Sequence, residues 1–185
     1  MDCADWGPDA PVVASPFRYT GRGHDLVHAL KYAGWTGLAG VMGRMMAGSA
    51  ARLATDRSCC LVPVPLSAAR LRERGFNQSE LLAHGLGAAA GYPVRPLLVR
   101  HVSSRPQALS TPTGRAGNVD HAFEVRASGA RPREPGEAWP VIVVDDVVTT
   151  GATARACADA LREADMECLG IVAFARTLTR IDGCE

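Results

Sequence analysis

The chain of 185 residues, 47% hydrophobic and 21% charged, is long enough to bury a core without disulfide or metal support. Its formal net charge of +1 gives no global attraction for nucleic acid, which would need a local patch. No run approaches about 18 uninterrupted apolar residues, so no membrane-spanning helix is expected.

Cysteines stand at 3, 59, 60, 157, 168 and 184. None forms a C-x-x-C pair, and the acidic N-terminus lacks the apolar segment of a signal peptide. The expectation is a reduced, cytoplasmic protein without a zinc ribbon or redox dithiol.

Residues 1–22 carry Pro8, Pro11 and Pro16 and read as loop, with a short strand near Val12–Val13. From Gly23, the apolar residues Leu26, Val27 and Leu30 predict a short helix ending near Gly34. Leu38, Val41, Met42, Met45, Met46, Ser49 and Leu53, spaced by threes and fours, predict a longer one. Its methionines read as core, and its three internal glycines allow close packing.

Cys60 to Val64 reads as a strand that Pro63 ends or leaves unpaired on one side. Leu66 to Gln78 reads as an irregular basic segment holding Arg70, Arg72 and Arg74, the one local cluster of cations. Asn77 then has the look of a helix N-cap, with Glu80 at capping-box spacing. The helix behind it uses Leu81, Leu82 and Leu86 and stops near Gly91. A strand is expected around Val94 to Val99, irregular because of Pro96, and another from Ala122 to Val125. Between them, residues 100–121 show no hydrophobic period and carry Arg100, Arg105, Gln107, Arg115 and Asn118. Ser128 to Trp139 is a connector rich in Pro, Gly and charge.

The segment Val141-Ile-Val-Val-Asp-Asp-Val-Val-Thr-Thr-Gly-Ala-Thr153 is the most informative one. A buried strand stops at two carboxylates, then passes through a hydroxyl-rich turn into an Ala-rich helix. Free amides at a helix start favour an anion, and adjacent carboxylates suit vicinal hydroxyls or a hydrated Mg²⁺. A sugar phosphate satisfies both. An ordinary parallel strand with a solvated end would not need the Thr-Thr-Gly-Ala-Thr tail. A phospho-acceptor receiver domain would place its acid pair early, whereas 39 residues follow Asp146 here. The alternation of strand and helix, closing with a strand from Cys168 to Ala175, predicts a parallel α/β fold with ligands at the carboxyl ends of strands.

That segment resembles the phosphoribosyl-pyrophosphate (PRPP) motif of type I phosphoribosyltransferases. The resemblance implies that Asp145 and Asp146 address the ribose hydroxyls, and that Val147, Val148, Thr149, Thr150, Gly151, Ala152 and Thr153 wrap the 5′-phosphate. Pro-Val-Pro-Leu-Ser followed by Arg-x-Arg-x-Arg-Gly-Phe-Asn-Gln narrows it to the ComF branch, over roughly residues 17–176. Leu30-Lys31-Tyr32 in the first helix and the spaced Gln107, Arg115 and Asn118 fit that branch.

By this resemblance Pro65, Leu66 and Ser67 meet pyrophosphate, with Arg70 and Arg74 as neutralising cations. A solvated helix face is the plainer reading of these arginines, and Gly75-Phe76 favours a site role for Arg74. Arg105 and Arg115 fall in a loop that covers the site in the broader family. Lys31 reads as a snorkelling lysine, and no histidine is assigned a role.

The implied fold is a mainly parallel sheet flanked by helices with a small N-terminal hood. The implied division is an N-terminal segment over 1–22, a phosphoribosyltransferase-like domain over 23–176 and a tail over 177–185. The implied function is Mg²⁺-dependent phosphoribosyl transfer from PRPP to an acceptor such as a nucleobase, with Asp145, Asp146 and Arg74 catalytic. No direct protein contact with Mg²⁺ is expected beyond what Asp145 and Asp146 could offer.

The alternative is a non-catalytic PRPP- or nucleotide-binding accessory of DNA uptake or recombination, with proteins of those processes as partners. A homodimer is compatible with either reading. Many ComF-like proteins begin with a cysteine-rich zinc module; here only Cys3 stands in that region, and zinc is not expected. Either the chain starts downstream of that module or its lineage has lost it.

Overall fold

The computed structural model describes residues 10–101, 122–126 and 140–177. In chain order the elements are β1 (Val13–Ala14), β2 (Phe17–Arg18), α1 (Arg22–Tyr32), α2 (Leu38–Ala54), β3 (Cys60–Pro63), α3 (Ala68–Arg74), α4 (Gln78–Ala90), β4 (Leu98–Arg100), β5 (Phe123–Val125), β6 (Val141–Val148), α5 (Ala152–Glu163) and β7 (Cys168–Arg176). The protein is an α/β fold around a parallel sheet in the order β1-β7-β6-β3, with β2 also on β7. β4 and β5 form a separate antiparallel pair.

A parallel sheet is covered on both faces, so its strands are apolar throughout rather than alternating. β6 obeys this over its first half. Ile142 and Val144 pack on one face against Val27 and Leu30 of α1, Met42 and Met46 of α2, and Leu82 and Leu86 of α4. Val141 and Val143 pack on the other with Cys157 and Leu161 of α5 and with Leu98 and Phe123 of the β4–β5 pair. The methionine stripe of α2 is half core: Met42 and Met46 are buried, while Val41 and Met45 face solvent.

α2 and α4 approach closely because glycines meet at their crossing. A Cβ on Gly43 would lie 2.5 Å from the Leu86 amide nitrogen, and one on Gly85 would lie 2.7 Å from the Ala39 carbonyl. Gly48, further along α2, has nothing within 4 Å, so close packing explains one part of the glycine pattern and not all of it.

The basic segment after β3 is a correction. Ala68–Arg74 is helical, capped by the Ser67 hydroxyl accepting from the Arg70 N–H at 3.3 Å and ended by Gly75 at φ 81°. None of its residues is buried, so it carries no apolar period for the sequence to show. The expected strand over Val94 to Val99 is shorter and elsewhere. Val94 makes an isolated bridge to Leu61, and pairing begins only at Leu98, beyond Pro96. β3 ends the path of the sheet, where Pro63 still registers with Val144 and its missing N–H is tolerated.

Candidate functional site

The carboxyl ends of β3 and β6 lie side by side, since Pro63 registers with Val144. Pro65, Leu66 and Ser67 leave β3 at the end of the sheet where Asp145 and Asp146 stand on β6. Asn77 and Ser79, at the start of α4, tie the two strand ends together. The Asn77 amide donates to the Val64 carbonyl at 3.0 Å, and the Ser79 hydroxyl donates to Asp145 Oδ1 at 3.0 Å. The Asn77 side chain also accepts from the Ser79 N–H at 3.1 Å, one position short of the Glu80 that capping-box spacing marks.

Both acids are buried, with Asp145 8% and Asp146 3% exposed. A buried carboxylate needs partners. Asp145 Oδ1 accepts from Ser79 and from the Asp146 N–H at 2.8 Å, and Asp146 Oδ1 accepts from the Val147 N–H at 2.9 Å. Asp146 Oδ2 meets the Lys31 ammonium of α1 at 2.6 Å. This contact is an ion pair without the alignment of a hydrogen bond, and no hydrogen bond reaches that oxygen. Burial pushes the Asp145 carboxyl well above the usual range, and the neighbouring Asp146 charge pushes it further. The Asp146 N–H and the Ser79 hydroxyl oppose that rise.

Successive strand residues face opposite ways, so one ligand could meet both acids only if the strand yielded near Asp146. The strand does not end there: Val147 and Val148 continue β6, in register with Ala175 and Arg176. The alternation breaks instead. Val147 packs with the α1–α2–α4 core and Val148 with the α5 core, the reverse of what counting from Val144 gives. Both carboxylates consequently bond to helices of one layer, Asp145 to α4 and Asp146 to α1.

Past Val148 the chain turns through Thr149, Thr150 and Gly151 into α5. Gly151 holds φ 78° at the N-cap, a left-handed conformation that disfavours a side chain. Val147 to Ala154 and Asp145 line a hollow of about 40 Å³, so the segment from Val147 to Thr153 is brought together around one concavity. Only Thr149 to Gly151 is free turn.

Arg74 lies over the Tyr32 ring, 5.4 Å from its centroid, and donates to Gln78. Arg70 is solvent-exposed on α3. Arg105 and Arg115, with Gln107 and Asn118, lie outside the described residues. Two residues escape sequence reasoning. Lys31 has a pattern no different from a snorkelling lysine, and Ser79 is 66 residues from the acid it serves; only the Leu-Lys-Tyr and Arg-Gly-Phe-Asn-Gln motifs pointed near them.

Among the described residues no three His, Cys, Asp or Glu side chains converge on a metal position. The acid pair supplies hard oxygen donors but only two carboxylates. A Mg²⁺ ion would fit here when ligand oxygens complete its shell. Among the described residues no helix is long and apolar enough to cross a membrane.

The model of the phosphoribosyl transferase domain matches residues 127–182, which contain the acid pair, the turn and α5. Competence protein ComFC of Bacillus subtilis is 35% identical over 58% of this chain and 40% of its own length. DNA utilization protein YhgH of Salmonella typhi is 31% identical over 83% of this chain and 66% of its own. The chain thus spans less than two thirds of these relatives. The solved structure of the allosteric regulatory enzyme of purine biosynthesis overlays 74% of this chain and 25% of that one. Its TM-score is 0.46 and its identity 19%, a likeness too loose to bear on function. With the motif-bearing segment matched and competence protein ComFC among its relatives, the chain belongs to the ComF family of phosphoribosyltransferase-like proteins.

Proposed function

We propose that the chain binds Mg²⁺-PRPP and transfers its phosphoribosyl group to an acceptor, releasing pyrophosphate. The observation that carries this reading is the buried acid pair placed directly before a hollow lined by the Thr149–Gly151 turn and the start of α5. The hollow suits a 5′-phosphate through free amides and the helix dipole. The acids suit the ribose hydroxyls. In the reaction the bond from the anomeric carbon to pyrophosphate breaks and a bond to the acceptor forms, with loss of an acceptor proton.

The carbon passes through an oxocarbenium-like state, and negative charge on the acid pair, which Asp146 carries while Asp145 holds its proton, would favour it. The Pro65–Ser67 segment and Arg74 would hold the departing pyrophosphate, with Arg70 within the same helix. Mg²⁺, arriving with the diphosphate, would supply neutralisation of its charge. A role for Arg105 and Arg115 in covering the site belongs to the same proposal.

The second reading is a PRPP- or nucleotide-binding accessory without turnover. The relatives' names, a competence protein and a DNA utilization protein, favour a setting in DNA uptake, with partners from that process.

Calorimetric titration of Mg²⁺-PRPP, followed by pyrophosphate release against a panel of purine and pyrimidine bases, separates the two. Binding with base-dependent release is the expected result. Binding without release gives the accessory reading. The double change Asp145→Asn with Asp146→Asn is expected to abolish binding while the circular dichroism of the fold is retained; undiminished affinity rejects the site.

A further inference from the structure

Lys31 and Tyr32 are consecutive on α1, and each holds one group of the site. Lys31 pairs with Asp146 at 2.6 Å, and the Tyr32 ring carries Arg74. The hollow lies elsewhere, lined by Asp145 and not by Asp146. The site therefore has two sides: a phosphate hollow beside Asp145, and a cationic side beside Asp146 built by α1 and α3.

Asp146 Oδ2 is buried and has the Lys31 ammonium as its partner without a hydrogen bond. Hydroxyls that take this oxygen must displace the ammonium. The Lys31 side chain is only 19% exposed, so after displacement it lacks free access to water and would be left without a counter-ion. A partly buried charge without a partner is strongly unfavourable. A ligand that brings its own anion to that side removes the penalty; a ligand without one does not.

We infer that Lys31 makes this site prefer PRPP over ribose 5-phosphate, by moving from Asp146 to the diphosphate when the ribose hydroxyls take the carboxylate. The inference rests on the PRPP reading. A ribose with its 5-phosphate in the hollow presents its hydroxyls to the acids and its anomeric substituent to the far side, where Lys31 and Arg74 stand. The diphosphate is what distinguishes the two ligands there. Lys31 is thus a specificity-determining residue that the proposed chemistry had left out, and the ion pair in the free protein keeps Asp146 oriented until a suitable anion arrives.

The test measures affinity for Mg²⁺-PRPP and for ribose 5-phosphate in the wild type and in Lys31→Met, Lys31→Gln and Lys31→Arg. Lys31→Gln retains a donor for Asp146 and so keeps a folded variant available if Lys31→Met does not fold. The expected result is a fall of at least tenfold in the ratio of the two affinities for both neutral variants, with the ratio largely restored by Lys31→Arg. Equal losses for both ligands, or none, would show a purely structural ion pair and overturn the inference while PRPP binding stands. A wild type that binds neither ligand overturns the inference and the PRPP reading together.

Discussion

Two carboxylates buried at adjacent positions repel each other, and Asp145 carries most of the consequence. Its folded form keeps a proton to higher pH than the unfolded chain does, since burial and the Asp146 charge both raise its pKa. The folded state therefore loses stability as pH climbs from the ordinary carboxylate range towards that raised value. Asparagine at 145 does not titrate and can still accept from Ser79. Asp145→Asn is expected to match the wild type in urea melts near pH 4 and to exceed it by about 1–3 kcal/mol at neutral pH, the scale of an uncompensated buried polar group. A gap that stays constant with pH would show that the Asp146 charge and burial do not act on Asp145. Gly151 makes a separate test. Valine there would be forced to the left-handed φ of 78°, costing about 1–3 kcal/mol, and would crowd the hollow. Gly151→Val is expected to lose ribose 5-phosphate binding by more than tenfold, read by calorimetry on the folded fraction.

At the scale of elements, what was legible followed from burial. α2, α4, β6, α5 and β7 were readable because each shows the core a periodic or continuous apolar face. α3 was not, because every one of its residues is at least partly solvated and the physics that writes periodicity into a sequence is absent. The Asp-Asp pair and its turn could be read because the strand, acid pair and hydroxyl-rich turn stand in one unbroken run of particular residue types. The Lys31 and Ser79 contacts could not, because tertiary partners across distant segments leave no spacing to find. The contact of α2 with α4 gives a paired prediction. Gly43→Ala places a Cβ 2.5 Å from backbone and is expected to cost about 1–3 kcal/mol as overpacking. Gly48→Ala meets nothing and is expected to gain about 0.5–1 kcal/mol from helix propensity. Thermal melts of both decide it; similar effects of the two would contradict the close crossing.

For the molecule as a whole, the proposed site would join parts that are distant in sequence: α1 with Lys31, the β3 end and α3 with Ser67 and Arg74, α4 with Ser79, and β6 with the acids. Ligand affinity should therefore appear as global stabilisation, rising with the logarithm of PRPP concentration above its dissociation constant. The order of the strands has a kinetic consequence as well. β1 and β2, close to the start of the described chain, find their strand partner in β7, where Val13 registers with Ile171. Closing such a separation costs entropy and slows folding. During synthesis β1 and β2 emerge with no edge to join, and must wait until β7 has left the ribosome. Chains halted before residue 166 are expected to remain protease-sensitive at their N-terminal side, and those that include β7 to become resistant there. A strand made late thus fastens two made early, so a translation arrest anywhere short of β7 leaves β1 and β2 unmoored.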